Sequence, residues 1–332
     1  MKRVALTTWG WLALCALVLL LPTVVTGQYV LRVLGIAALN GALAVSFAVI
    51  VRSGYVSMAH TAFAAMGAYL SAALIVHAHW NFWLALPIAL LVIIATAFGI
   101  GWLTLRLKGA YFFLISFCFL EATVLFFGNV AQPIFGGPNG IVPVPRPSPI
   151  LLGFATLSFN SMRSFYYCGV AVMLLCAWVI WRIMSTRYGR ILLAAQQSDT
   201  LAATVGVNIF AHKLMAFVLC STMAGLAGAV LGNFNGIVQI DDYAVSRMVM
   251  VVTFAVVGGT DMVWGPAFGA VLLILAGERL RSLHDVQLLG YGLLLILVMV
   301  IWPSGLAGML QHLYRKLTGQ AREPARAVSA GH

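Results

Sequence analysis

Three polar side chains stand against an otherwise apolar background, and each is of a type that can line a path for a small polar solute. Glu121, in YFFLISFCFLEATVLFF, is the one carboxylate well inside a long apolar run. An acid there is costly in hydrocarbon, and two readings stand: it lines a solute path, or it faces the helix bundle and pairs with a hydroxyl or a backbone carbonyl. Ser57 and His60 lie in GYVSMAHTAFAAMGAYLSAA, residues 54–73, among closely spaced small residues. Small residues let helices approach one another, so packing is the plain reading of this stretch and contact of Ser57 and His60 with a solute is the other. Gly225, Gly228 and Gly232 repeat the small-residue pattern with the same packing reading.

Covalent and metal chemistry have no carrier. The chain lacks the phosphate-cradling G-x-x-x-x-G-K-[ST], the zinc-protease H-E-x-x-H and the nucleophile elbow G-x-S-x-G, so it is not expected to be an enzyme or to hydrolyse ATP itself. Cys15, Cys118, Cys168, Cys176 and Cys220 all fall in apolar runs without C-x-x-C pairing and carry no redox or metal message. His77 and His79 are too close for two ligands on one helical face, and the plain reading is a surface loop.

The elements that must position these residues are transmembrane helices. Of the 332 residues 62% are hydrophobic and 8% charged, far outside the range of soluble domains, and the mean hydropathy is +1.02. Apolar runs of about 20 residues without period-2 alternation predict helices rather than barrel strands. The predicted fold is all-α and polytopic, with ten spans at 9–26, 31–51, 54–76, 82–105, 111–127, 164–184, 213–232, 245–260, 263–281 and 287–303. The glycines and proline of GGTDMVWGP, 258–266, break the eighth and ninth, so 245–281 reads either as two spans or as a pair with one re-entrant member.

Thirteen of the nineteen Lys and Arg fall on one side of this ten-span arrangement, which places both termini on the cytoplasmic side of the membrane. Basic loops facing an anionic leaflet also account for the net charge of +11 and pI near 9.8, with membrane lipid as the partner and no nucleic acid. Residues 1–28 resemble a signal peptide too, with Lys2 and Arg3 before an apolar run; an uncleaved helix keeps the span count even, and cleavage removes one span. The domains expected are a transmembrane region over 1–310 and a polar, disordered cytoplasmic tail over 311–332. The longest outer connection, 128–163, contains GGPNGI and VPVPRPSP and reads as an ordered lip, either a gate, a docking surface or a connector.

One cytoplasmic stretch differs from the rest. GRILLAAQQSDTLAATVGV, 189–207, is polar and rich in small residues between two spanning runs, a surface for an external motor to grip.

Taken in order, several segments resemble the permease subunits of branched-chain amino acid ABC transporters, of the LivM type, from about Gly41 to Pro303. They are GYVSMAHTAFAAMGAY (54–69), similar to the family's G-x-V-S-x-G-H-x-A-F-x-x-x-G-A-Y; the acid in 111–127; GGPNGI (136–141); GRILLAAQQSDTLAATVGVN (189–208); KLMAFVLCSTMAGLAGAV (213–230); and VVGGTDMVWGPAFGA (256–270).

The resemblance implies the ABC importer permease fold, with 185–212 as the coupling loop that docks on an ATP-binding subunit. Gly189, Arg190, Ala194, Ala195, Asp199, Ala202, Ala203 and Gly206 are then its contacts and turn residues. It also implies ATP bound by partner subunits with no cofactor in this chain. The other implied partners are a second permease subunit of LivH type and a periplasmic solute-binding protein. The cargo implied is a branched-chain amino acid or a related small polar solute. Gln196 and Gln197 stand where the family commonly has a charged pair, and Ala59 where it has glycine. The competing class is a stand-alone secondary transporter or channel, which predicts paired ionisable residues or repeated broken helices near the midplane.

Overall fold

The computed structural model describes residues 22, 27–107, 109–151, 156, 157, 159, 161–197, 206–260, 262–280, 305 and 308. The predicted spans 9–26 and 287–303, the question of cleavage near 26 and the tail 311–332 lie outside the described residues.

The apolar runs fold as helices: α1 Gln28–Arg52, α2 His60–Ala78, α3 Phe82–Thr104, α4 Ala110–Leu125, a short α5 Gln132–Phe135, α6 Met162–Met184, α7 Arg187–Gln197, α8 Ile209–Asn235, α9 Val245–Gly258 and α10 Gly265–Leu280. A wider π turn, Phe126–Val130, prolongs α4. Six of these helices, α1 to α4, α6 and α8, are long and apolar enough to cross a membrane. The fold is all-α as the sequence predicts, apart from one antiparallel strand pair, β1 Ile150–Leu151 with β2 Thr156–Leu157. Side chains cap two starts: Ser161 Oγ accepts from the Ser164 amide at 3.2 Å for α6, and Asn208 Oδ1 from the Ala211 amide at 3.1 Å for α8.

Helices α2 and α8 form the centre because both present stripes without side chains. A Cβ on Gly67 would lie 2.0 Å from the Gly225 carbonyl oxygen, and one on Gly228 would lie 2.1 Å from that of Ala64. The backbones are therefore in contact along Ala64–Ala68 and Gly225–Gly232, the small-residue packing that membranes favour. Helix α1, buried over most of its length, packs beside this pair and against α6 and α10.

The widest departure from the expected spans is at one helix start. The predicted span 54–76 becomes helical only at His60. Gly54 turns the chain at φ +85°, and residues 53–59 run back beside α1, so that His60 meets Leu43 and Ser46 instead of the helix end at Arg52. Ser46 to Arg52 corresponds to about 9 Å of helix. Bare backbone at this depth must be covered by protein. Here the Met58 amide donates to Ser116 Oγ of α4 at 3.0 Å, and Lys213 Nζ of α8 sits 4.5 Å from the Tyr55 ring centroid.

The predicted spans 245–260 and 263–281 fall on α9 and α10 within two residues at each end. Helix α9 has 14 residues, about 21 Å against a core of about 30 Å, while α10 runs to the edge of the described residues. The two pack antiparallel as a hairpin: a Cβ on Gly258 would lie 2.1 Å from the Gly265 carbonyl oxygen, and one on Gly269 would lie 2.2 Å from that of Phe254. Between α8 and α9, residues 236–244 dip inward, bringing the Tyr243 hydroxyl to 3.5 Å from the Gly228 carbonyl oxygen. That carbonyl lies two turns before the end of α8.

Candidate functional site

The bundle has two chemically different ends. One carries α7, Arg52, Leu105 and the start of α8. There Arg52 Nε donates to the Thr260 carbonyl between α9 and α10, and the Tyr55 hydroxyl lies 3.4 Å from the Leu105 carbonyl oxygen. Among the described residues this end holds Arg106, Arg182, Arg187 and Arg190 and no acid. The other described acids, Asp241, Asp242 and Glu278, lie toward the opposite end, together with Arg32, Arg146, Arg163, Arg247 and Arg279.

Helix α7 is held on the basic end by its inner face. Gly189 and Leu192 are buried, and Ala195 is 4% exposed. A Cβ on Gly189 would lie 2.4 Å from Met184 Cα, so only glycine lets α7 fold back against the end of α6. The Tyr188 hydroxyl donates to the His212 carbonyl, and the two rings stack with centroids 5.1 Å apart. Burial pushes the Tyr188 phenol pKa up, which keeps its proton in place as a donor. The other face is open: Arg190, Leu193, Ala194 and Gln197 are exposed at helical spacing i, i+3, i+4, i+7. The chain leaves this region through Gly206 at φ +78°. Asp199, Ala202 and Ala203 lie outside the described residues.

The predicted path residues separate. Ser57 is fully buried, with no hydrogen-bond partner for Oγ among the described residues. His60 is 1% exposed, with Nε2 at 3.0 Å from Ser46 Oγ and 3.1 Å from the Leu43 carbonyl oxygen. The Ser46 hydroxyl itself donates to the Leu43 carbonyl at 3.0 Å, so a proton on Nε2 completes the network. His60 thus fixes the start of α2 against the middle of α1. Glu121 is half-buried on a stripe of α4 with exposed Leu114, Cys118 and Leu125, facing away from the bundle. It makes no hydrogen bond or ion pair with another described residue.

The sequence reading missed a polar cavity of about 330 Å³ toward the end opposite α7, between α1, the 240–243 turn, α9 and α10. Its charged lining is Asp241, Asp242, Arg247 and Glu278, with Asn40 buried at its inner edge. Arg247 Nε donates to the Asp242 carbonyl at 3.0 Å, its Nη2 lies 3.7 Å from the Asp242 carboxylate, and its Nη1 lies 3.5 Å from Asn40 Oδ1. The I-D-D-Y run directly before the predicted eighth span was the available signal, since two adjacent acids at a span entrance are costly unless they face water or a cation.

Residues 29–302 match the family model described as the permease component of the branched-chain amino acid transport system. The chain is 28% identical over 288 residues to the high-affinity branched-chain amino acid transport system permease protein LivM of Salmonella typhimurium, covering 81% of this chain and 68% of that protein. The identity to LivM of Escherichia coli is 27% over the same shares. LivH of Escherichia coli is 31% identical over 132 residues, 38% of this chain and 41% of its own. No solved structure matches.

Proposed function

Because this chain belongs to the permease-component family of the branched-chain amino acid transport system, we propose that it is the LivM-type half of a heterodimeric importer permease whose other half is a LivH-type subunit. The chain is a multi-pass membrane protein and a transport component, not an enzyme. In this reading it sits in the bacterial inner membrane with the basic α7 end in the cytoplasm, as positively charged loops favour. ATP-binding subunits dock there, and a periplasmic binding protein delivers a branched-chain amino acid or a related small polar solute at the opposite end.

The observation that carries this reading is the two-faced geometry of α7. Its inner face is fixed to α6 and α8 by Gly189, Tyr188 and Leu192, so a push on the outer face is passed to the centre of the bundle. Arg190 and Ala194 are the outward contacts; Gly189 and Ala195 hold the helix from within; Gly206 turns the chain back into α8, with Asp199, Ala202 and Ala203 between. Closure of the ATP-binding subunits changes transport only if their contacts with α7 differ between the two states of the permease.

Purification of the tagged chain from native membranes tests the reading. An ATP-binding subunit that co-purifies, and that cross-links to a cysteine placed at Ala194 but not to one at Leu84 on the lipid-facing side of α3, supports it. Recovery of the chain without an ATP-binding subunit under conditions that keep the permease pair together contradicts it.

A further inference from the structure

We propose that the cavity between α1, the 240–243 turn, α9 and α10 binds the zwitterionic end of an apolar α-amino acid, Asp241 taking the ammonium and Arg247 the carboxylate. This rests on the reading of the chain as a transport permease and goes beyond it by assigning the site. The volume of about 330 Å³ lies in the range of small-molecule sites, about 300–1,000 Å³.

The lining sorts by chemistry in the way such a ligand demands. The Asp241 carboxylate makes no hydrogen bond or ion pair with another described residue, so among these residues no group competes with an ammonium for it. Arg247 is tethered through Nε, but its remaining contacts, at 3.5 and 3.7 Å, are long for hydrogen bonds. The guanidinium therefore has donors to give to an incoming carboxylate in the bidentate manner that suits it. Helix α9 starts beside it at Val245 with no side-chain cap, and its free amides and positive dipole end favour the same anion. Ile36, Met250, Phe254 and Ile274 supply an apolar wall for an aliphatic side chain. With three acids to one base, a lone carboxylic acid is repelled and a zwitterion is held through its amine.

The test uses the assembled transporter in proteoliposomes, with the binding protein enclosed on the delivering side. Asp241→Asn is expected to lower leucine uptake by about tenfold or more, the loss of roughly one charged contact, while the subunits still co-purify, and Asp241→Glu restores most of it. Arg247→Gln loses uptake and Arg247→Lys retains part. As a binding readout, a cysteine at Ser246 is labelled with a charged thiol reagent: leucine slows the labelling most, leucinamide, which keeps the ammonium, slows it less, and 4-methylpentanoate, which lacks it, does not. Wild-type uptake with Asp241→Asn, or equal protection by the three compounds, overturns the site while leaving the permease reading intact. Absence of leucine uptake by the wild-type assembly overturns the amino-acid site, and failure of the chain to recover an ATP-binding subunit overturns the permease reading instead.

Discussion

Tyr188 ties α7 to the start of α8 by donating its hydroxyl proton to the carbonyl of His212, and the two rings stack at 5.1 Å. The bond is a side-chain link between the surface helix and α8, the longest described helix, whose other end turns into the Asp241 cavity. Tyr188→Phe removes the donor at a cost of about 0.5–1.5 kcal/mol and leaves the stack. The expected outcome is a several-fold fall in solute moved per ATP hydrolysed by the reconstituted assembly, with thermal stability nearly unchanged. An unaltered ratio means that force does not pass through this contact.

The α2–α8 contact sets a second expectation. Gly67→Ala and Gly228→Ala each put a methyl about 2 Å from a backbone oxygen, so the helices must separate, at about 1–3 kcal/mol each. Gly99→Ala, with nothing within 4 Å of the new carbon and a helical backbone, is expected to be neutral or mildly stabilising. Melting curves of the three variants in the same detergent check the contrast.

Adjacent alanines on α7 are expected to fail in different ways. Ala194 is exposed and Ala195 is 4% exposed. Ala194→Trp should leave the permease folded and weaken its capture of the ATP-binding subunit; Ala195→Trp should destabilise the permease itself by about 1–3 kcal/mol through overpacking. Gly206→Val, forced to φ +78°, costs about 1–2 kcal/mol locally and should uncouple hydrolysis from uptake. Pull-down yield and melting temperature separate the three.

How much of this was legible depends on distance along the chain. Spans such as 82–105 and 164–184 agree with α3 and α6 within two residues, because hydrocarbon imposes a continuous apolar run. The re-entry at 53–59 was not legible: GYVSMA is apolar enough to pass as helix, and the bonds that satisfy its backbone instead, from the Tyr55 amide to the Ile50 carbonyl and from the Met58 amide to Ser116, are set by tertiary packing. The cavity was hidden for a related reason. Asn40 and Arg247 are 207 residues apart, and nothing local says that they meet. The glycines at 225, 228 and 232 were legible as packing residues because the absence of a side chain is itself the signal.

Glu121 shows where the two readings of a buried acid part. It faces outward on α4, and no described residue pairs with it as the bundle-facing reading expects. A carboxylate left against lipid is costly, which favours a path or a subunit seam along this stripe. Glu121→Gln is expected to insert normally and to lower leucine uptake several-fold in transport assays. Full uptake would assign the residue to neither.

The most direct measurement is leucine accumulation against a gradient in liposomes containing ATP, first with this chain alone and then with the second permease, the ATP-binding subunits and the binding protein. Accumulation only in the complete assembly, abolished by Ala194→Trp, is the predicted result. A gradient built by this polypeptide alone contradicts the account.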